Sequence, residues 1–217
     1  MGFIMKWLVR FVSSSAGKKQ LMAVTGLGFC LFLATHLVGN LTLYGGRDFF
    51  LSYIEHLHGL GYLITAAELG LVFFALVHIA TGLVLFFENQ AARPVSYAVK
   101  KNAGGQTIGS ATSPYTGLLI LLFLLIHLLT FRFVDKTSVT DFEILTQKLT
   151  QTWWVLFYIA GVVVVAIHVS HGFWSGFQTL GLNNPKYMPL IRRFGILFSV
   201  VIGVGFVSIP VFVFLVA

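Results

Sequence analysis

Apolar residues run along this chain in five long blocks, 21–44, 65–87, 115–131, 153–180 and 190–216, and glycine, proline, asparagine or charged residues break each block from the next. A helix needs about 20 mostly apolar residues to cross the hydrocarbon of a bilayer. The pattern therefore predicts an all-α integral membrane protein, a bundle of five transmembrane helices forming one domain over residues 1–217. The breakers agree: Gly45-Gly46 ends the first block, Ala91-Ala92-Arg93-Pro94 follows the second, Ser113-Pro114 opens the third, and Asn183-Asn184-Pro185 parts the last two. Two of the connecting stretches, 48–60 and 140–151, mix apolar and charged positions as helices lying at a membrane surface do. Residues 1–20 combine bulky apolar and basic residues at helical spacing without an apolar run long enough for a cleavable signal, and read as an interfacial segment retained on the protein. No internal repeat or low-complexity tract stands out.

Composition strengthens this picture. The chain is 57% hydrophobic and 10% charged, against roughly 25% charged in an average soluble domain, which leaves no room for a separate soluble domain. The net charge of +7 is unevenly spread. Lys6, Arg10, Lys18, Lys19, Arg93, Lys100, Lys101, Lys186, Arg192 and Arg193 fall on one side of the predicted spans. Arg47, Arg132, Lys136 and Lys148 fall on the other, among Asp48, Glu55, Asp135, Asp141 and Glu143. Cytoplasmic loops carry the excess of positive residues, so the amino terminus is expected in the cytoplasm and the carboxyl terminus on the outer side. The charge then reflects topology and contact with anionic lipid or a partner, and nucleic acid is not expected. Cys30, the single cysteine, sits inside the first span, can form no intrachain disulfide and reads as a core residue.

Histidine is the candidate chemistry. Five of the seven, His36, His78, His127, His168 and His171, fall inside predicted spans. A lone buried histidine bonded to backbone or hydroxyl calls for nothing further. Four spans each carrying one is different, because an unpaired polar group in an apolar medium costs about 2–7 kcal/mol and ionisable residues at membrane depth mark function. Imidazole is an axial ligand of haem iron, and helix bundles build such sites from facing helices. Four ligand helices make two bis-histidine haem sites.

Depth suggests the pairing. At 1.5 Å of rise per residue, His36 lies about 12 Å before Tyr44 and His127 about 8 Å before Arg132, so these two share an outer layer. On the inward-running spans His78 lies about 20 Å past Thr65 and His168 about 22 Å past Trp153, an inner layer. His171 lies about 27 Å past Trp153, a poorer match to His78 by that measure but a better one when counted from Glu88 and Gly181. Both histidines of span four stay open as the fourth ligand on spacing alone. Gly82 and Gly172 follow His78 and His168 by one turn, and Gly39 follows His36; each leaves room for the edge of a flat ring.

Four stretches carry a resemblance: SSSAGKKQLMAVTGLGFCLFLATHLVGNL (13–41), the Thr116-Gly117 to His127 spacing, LVHIATG (76–82) and HVSHGFWSGFQTLGLNNP (168–185). Over almost its whole length the chain resembles the single-chain, two-haem cytochrome b membrane anchors of succinate:quinone oxidoreductases, the succinate dehydrogenases and quinol:fumarate reductases. The resemblance implies two b haems, with His36 and His127 ligating the outer one and His78 and His168 the inner one. It implies that His171 is a neighbouring or propionate-contacting group, or the alternative ligand. It further implies a flavoprotein with covalent FAD and an iron–sulfur subunit on the cytoplasmic face of a bacterial inner membrane, a menaquinone-type quinone, and an assembly compatible with a dimer of heterotrimers. Lys18, Lys19, Arg93, Arg192 and Arg193 are then expected to dock that partner or meet haem propionates. Glu55, in YIEHLHG beside His56 and His58, is the expected proton-transfer group of the quinone site, with Glu68 a second candidate. Some members carry a glutamate two residues before the fourth ligand; here Ala166 stands there, which puts that proton route in doubt. The chain holds no dinucleotide-binding glycine motif and no cysteine cluster, so the dicarboxylate chemistry falls to partners. Two other readings remain: a dihaem cytochrome b serving a hydrogenase or formate dehydrogenase, and a haem-free, proton-coupled transporter, which the lack of repeated broken helices disfavours.

Overall fold

The computed structural model describes residues 2–92 and 107–216. They form eight α-helices in chain order: α1 (Gly2–Ser13), α2 (Ser15–Leu41), α3 (Arg47–Gly59), α4 (Tyr62–Ala91), α5 (Ile108–His127), α6 (Asp141–Leu149), α7 (Thr152–Thr179) and α8 (Met188–Val216). Helices α2, α4, α5, α7 and α8 fall on the five apolar blocks and are each long and apolar enough to cross a membrane. The fold is an all-α integral membrane bundle, with no strand among the described residues. Arg93, Pro94, Lys100 and Lys101 lie outside them.

Local chemistry sets the helix ends. Ser14 is extended (φ −73°, ψ 148°) and its hydroxyl accepts the Gly17 N–H at 3.0 Å, starting α2 one residue after α1 stops. A Cβ at Gly17 would overlap the Phe11 carbonyl oxygen, so this corner requires glycine. Gly46 (φ +88°) and Gly61 (φ +52°) bracket α3, in a region of backbone space that other residues rarely enter. The third span starts earlier than its proline suggests. Thr107 and Ser110 form a reciprocal cap, each side chain bonding the other's backbone N–H (2.9 and 3.1 Å), and α5 begins at Ile108. Pro114 is thus inside the helix, where it removes one intrahelical hydrogen bond. Beyond His127, α5 widens into a π-helical turn, Leu128–Arg132. The two stretches predicted as surface helices are α3 and α6, and α6 is capped by Thr140 with Glu143.

Small residues let the long helices approach closely, as membrane bundles require. A Cβ at Gly176 would stand 3.1 Å from Leu27, one at Gly195 3.1 Å from Phe173 and one at Gly203 3.1 Å from Ala166, which brings α7 against both α2 and α8. The main core, with Leu37, Leu43, Phe50, Leu145, Leu149, Tyr158, Ile202, Ile209 and Val213, gathers at the end where α3 and α6 close the bundle. Arg47 ties those two helices to each other through Glu143 (2.9 Å). At the opposite end an ion pair between Lys18 and Glu88 joins the start of α2 to the end of α4. Cys30 is buried and free, as a core residue. Leu31, Val38, Leu129 and Val204 point outward, each about two-thirds exposed, the apolar exterior a lipid-facing helix presents.

Candidate functional site

The bundle brings four of the five span histidines into two pairs. His36 of α2 faces His127 at the end of α5, with ring centres 6.0 Å apart and planes at 88°. His78 of α4 faces His168 of α7 at 6.5 Å and 72°. Thr25 touches His78 and Thr116 touches His168. Each threonine lies eleven residues before an outer histidine on its own helix, so the two layers are about 16 Å apart along the bundle. His171, one turn beyond His168, lays its ring against Trp174 instead (4.9 Å, 85°).

Hydrogen bonds fix how the inner rings are presented. His78 Nδ1 is 3.1 Å from the Met22 carbonyl oxygen and 3.1 Å from Thr25 Oγ1. A carbonyl only accepts, and the Thr25 hydroxyl already donates to Leu21 O at 2.7 Å, so the proton between ring and partners belongs to Nδ1. His168 Nδ1 is likewise 3.0 Å from Thr116 Oγ1, whose own proton points to the Thr112 or Ser113 carbonyl, each at 3.1 Å. Both inner histidines are therefore held as Nδ1–H tautomers, with the Nε2 lone pair available to a ligand.

The outer pair is supported differently. His36 stacks on Phe32 (5.0 Å, 17°) and leans on Phe206 (5.5 Å). The Asn40 amide donates to His36 O at 2.8 Å and stands only at the limit, 3.5 Å, from Nδ1. His127 is boxed by Phe123, Phe131 and Tyr158. Its Nδ1 is buried without a partner, as are the Tyr158 hydroxyl and His171 Nδ1.

The spacing of each pair limits what it could hold. An imidazole nitrogen sits about 2 Å from a metal it binds and about 1 Å from its own ring centre, so two histidines on opposite sides of one metal stand about 6 Å apart. Both pairs meet that spacing. No group of three or more His, Cys, Asp or Glu side chains converges among the described residues, so neither pair completes the shell that a bare zinc ion takes. Two facing imidazoles fit a metal that arrives with its remaining ligands in place, as haem iron does.

The other candidates are placed unevenly. Glu55 is exposed on α3, the helix that packs against the outer-pair turn of α2: a Cβ at Gly39 would be 2.5 Å from Tyr53 Oη. Gly39 thus admits Tyr53 and not a ring edge, whereas Gly82 and Gly172 face open space, with nothing within 4 Å of an added Cβ. His56 bonds the Ser52 carbonyl within its own helix, and His58 is exposed. Both carboxylate oxygens of Glu68 are held by Arg132, at 3.0 Å each, so this candidate is engaged in a fork joining α4 to the end of α5. Lys18 is committed to Glu88, Arg192 lies over the Trp174 ring at 4.4 Å beside a cavity of about 190 Å³, and Lys19 and Arg193 are exposed. Arg93 lies outside the described residues. Sequence reading missed Thr25, Thr116 and the Met22 carbonyl as supports. The signal was present as a Thr-Gly dipeptide standing at one fixed distance before a histidine in both α2 and α5. Comparison of the chain with protein-family models, with curated proteins and with solved structures finds no match.

Proposed function

We propose that this protein is a dihaem cytochrome b that carries electrons across the membrane between an iron–sulfur partner and a membrane quinone, as the anchor subunit of a succinate:quinone oxidoreductase. One observation carries the reading: two histidine pairs at two depths, each with ring centres about as far apart as two imidazoles that would hold one metal between them. His78 and His168 would hold one haem b and His36 and His127 the other, and the haems would supply one-electron redox chemistry. The chain's own residues orient and insulate. Thr25, Met22 O and Thr116 keep the inner imidazoles turned with Nε2 free, and the Phe32, Phe123, Phe131 and Phe206 rings shield the outer pair.

The remaining parts rest on the sequence resemblance together with the charge pattern. The amino terminus and the basic end with Lys18, Lys19, Arg192 and Arg193 would face the cytoplasm of a bacterial inner membrane and meet the iron–sulfur subunit, which carries electrons to or from a covalent-FAD flavoprotein. A menaquinone-type quinone would bind near the outer pair, where exposed Glu55 on α3 would take up or release the proton that accompanies quinone chemistry.

The test is an absorption spectrum of the purified protein with single histidine replacements. Low-spin b-type bands, with one haem lost on His36→Ala or His127→Ala and the other on His78→Ala or His168→Ala, are expected; His56→Ala and His58→Ala should keep both. A protein without those bands would sink the reading, and co-purification of a covalent-FAD subunit separates it from anchors of hydrogenase or formate dehydrogenase.

A further inference from the structure

The two inner histidines are supported by one device built twice. Thr25-Gly26 precedes His36 on α2 by the same interval as Thr116-Gly117 precedes His127 on α5. A short surface helix follows in each half, α3 or α6, and then a long helix bearing His78 or His168 with a glycine four residues later, Gly82 or Gly172. The chain thus contains a repeated long–short–long unit that its divergent apolar residues conceal. The two halves also match in contacts. Each threonine is buried (Thr25 3%, Thr116 6% exposed), each directs its own proton to a carbonyl one turn back, and each presents its oxygen to a histidine Nδ1, at 3.1 and 3.0 Å. A glycine follows each threonine beside the ring: a Cβ at Gly26 would crowd His78 Cε1 at 3.1 Å, while one at Gly117 would make ordinary contact with His168 Cε1 at 3.7 Å. The outer histidines have no equivalent, since His127 Nδ1 lacks a partner and His36 Nδ1 has only the 3.5 Å approach of Asn40.

We propose that Thr25 and Thr116 are a matched pair of positioning residues that accept the Nδ1–H of His78 and His168 and so set the reduction potential of the inner haem separately from the outer one. This rests on the dihaem reading. A ring N–H donated to an acceptor fixes the ligand's orientation and raises its basicity, which favours ferric over ferrous iron; removing the acceptor raises the midpoint of that haem alone. Each threonine is backed by a carbonyl three residues earlier on its own helix, Met22 O at 3.1 Å from His78 Nδ1 and Ser113 O beside His168.

The experiment is a spectroelectrochemical titration of both haems in the intact protein for Thr116→Val, Thr25→Val and Thr116→Ser. Thr116→Val should raise one midpoint by up to a tenfold change in the ferric/ferrous preference, which is 59 mV for one electron. Thr25→Val should move the same haem in the same direction, Thr116→Ser should restore it, and the other midpoint should stay. Loss of that one haem in Thr116→Val with recovery in Thr116→Ser would equally support the role. Normal b-type bands with unmoved midpoints, equal movement of both haems, or different haems responding to the two valines would overturn it while leaving the dihaem reading intact. Absence of the bands from the unaltered protein would instead sink that reading and this inference together.

Discussion

Alanine at Gly82 and Gly172 should move two measurements in opposite directions. These glycines sit one turn after His78 and His168, inside helices, and an added Cβ at either would have nothing within 4 Å. Glycine inside a helix costs about 0.8–1.0 kcal/mol relative to alanine, and no clash offsets that gain in the protein alone. At about 2–4 °C per kcal/mol for a chain of this size, the double replacement should raise the melting temperature of haem-stripped protein by several degrees. If a porphyrin edge occupies the open space, two methyl groups intrude on it, and overpacking of this kind costs about 1–3 kcal/mol. Since 1.4 kcal/mol is about tenfold in affinity, haem retention at the inner pair should fall about 5- to 150-fold while the outer haem stays. Thermal unfolding of stripped protein and haem content of loaded protein are the two assays. Higher melting temperature with undiminished haem would refute the placement, leaving a lipid-facing surface beside those glycines. A lower melting temperature in the stripped protein would refute the premise that the space is open.

Other perturbations probe the rest of the bundle. Gly161→Ala would drive a methyl into the Phe123 ring, whose Cγ lies 2.8 Å from that Cβ position, and Phe123 is confined by Phe157, Tyr158 and His127. We expect destabilisation of about 1–3 kcal/mol with an altered spectrum of the outer haem only; an unchanged spectrum would show that Phe123 does not position His127. Glu143 is held at about 2, well below the usual carboxylate range, by its hydrogen bonds to Thr140 and then by Arg47. A depressed value contributes stability that is present above about pH 4.5 and lost as pH falls through about 2. Exchange protection along α6, corrected for the intrinsic pH dependence of exchange, should therefore fall over that window, and Glu143→Gln should reduce that fall. A double-mutant cycle on Glu68 and Arg132, both about half exposed, should return a coupling of no more than about 1 kcal/mol; several kcal/mol would mean that the pair is shielded by lipid.

What the sequence made legible follows from what periodicity and charge report. Apolar length gave the five spans, and mixed charge gave α3 and α6, because both depend on residues near one another in the chain. Depth along a helix is also local, which is why His36 could be matched with His127, and His78 with the histidines of the fourth span, before any contact was known. Rotation of one helix against another is not local. Gly39 reads in sequence as space for a flat ring, yet Tyr53 from α3 fills it, and Glu68 reads as a second proton-transfer candidate, yet Arg132 from the end of α5 holds it. The start of α5 was misplaced because Pro114 is a loud breaker, while the quieter cap at Thr107 and Ser110 acts earlier in the chain. Choosing between His168 and His171 likewise required knowing that Thr116 reaches one ring and Trp174 the other.

The pattern of satisfied and unsatisfied nitrogens gives the two pairs different characters. A buried polar atom without a partner costs about 1–3 kcal/mol, and among the described residues His127 Nδ1 is one. An apolar residue in that place would carry no such cost, so His127 is a candidate for a role beyond packing. Local rules are broken in natural proteins chiefly where function requires it. The inner pair obeys the rules, with Nδ1 protons placed on Thr25, Met22 O and Thr116. The same cofactor in both layers would meet a more basic ligand pair inside than outside, and its two copies would differ in potential before any difference in solvent or charge is counted. On the dihaem reading, two unequal stations about 16 Å apart would bias an electron toward one end of the bundle, and that bias would depend partly on whether a histidine's second nitrogen has somewhere to put its proton.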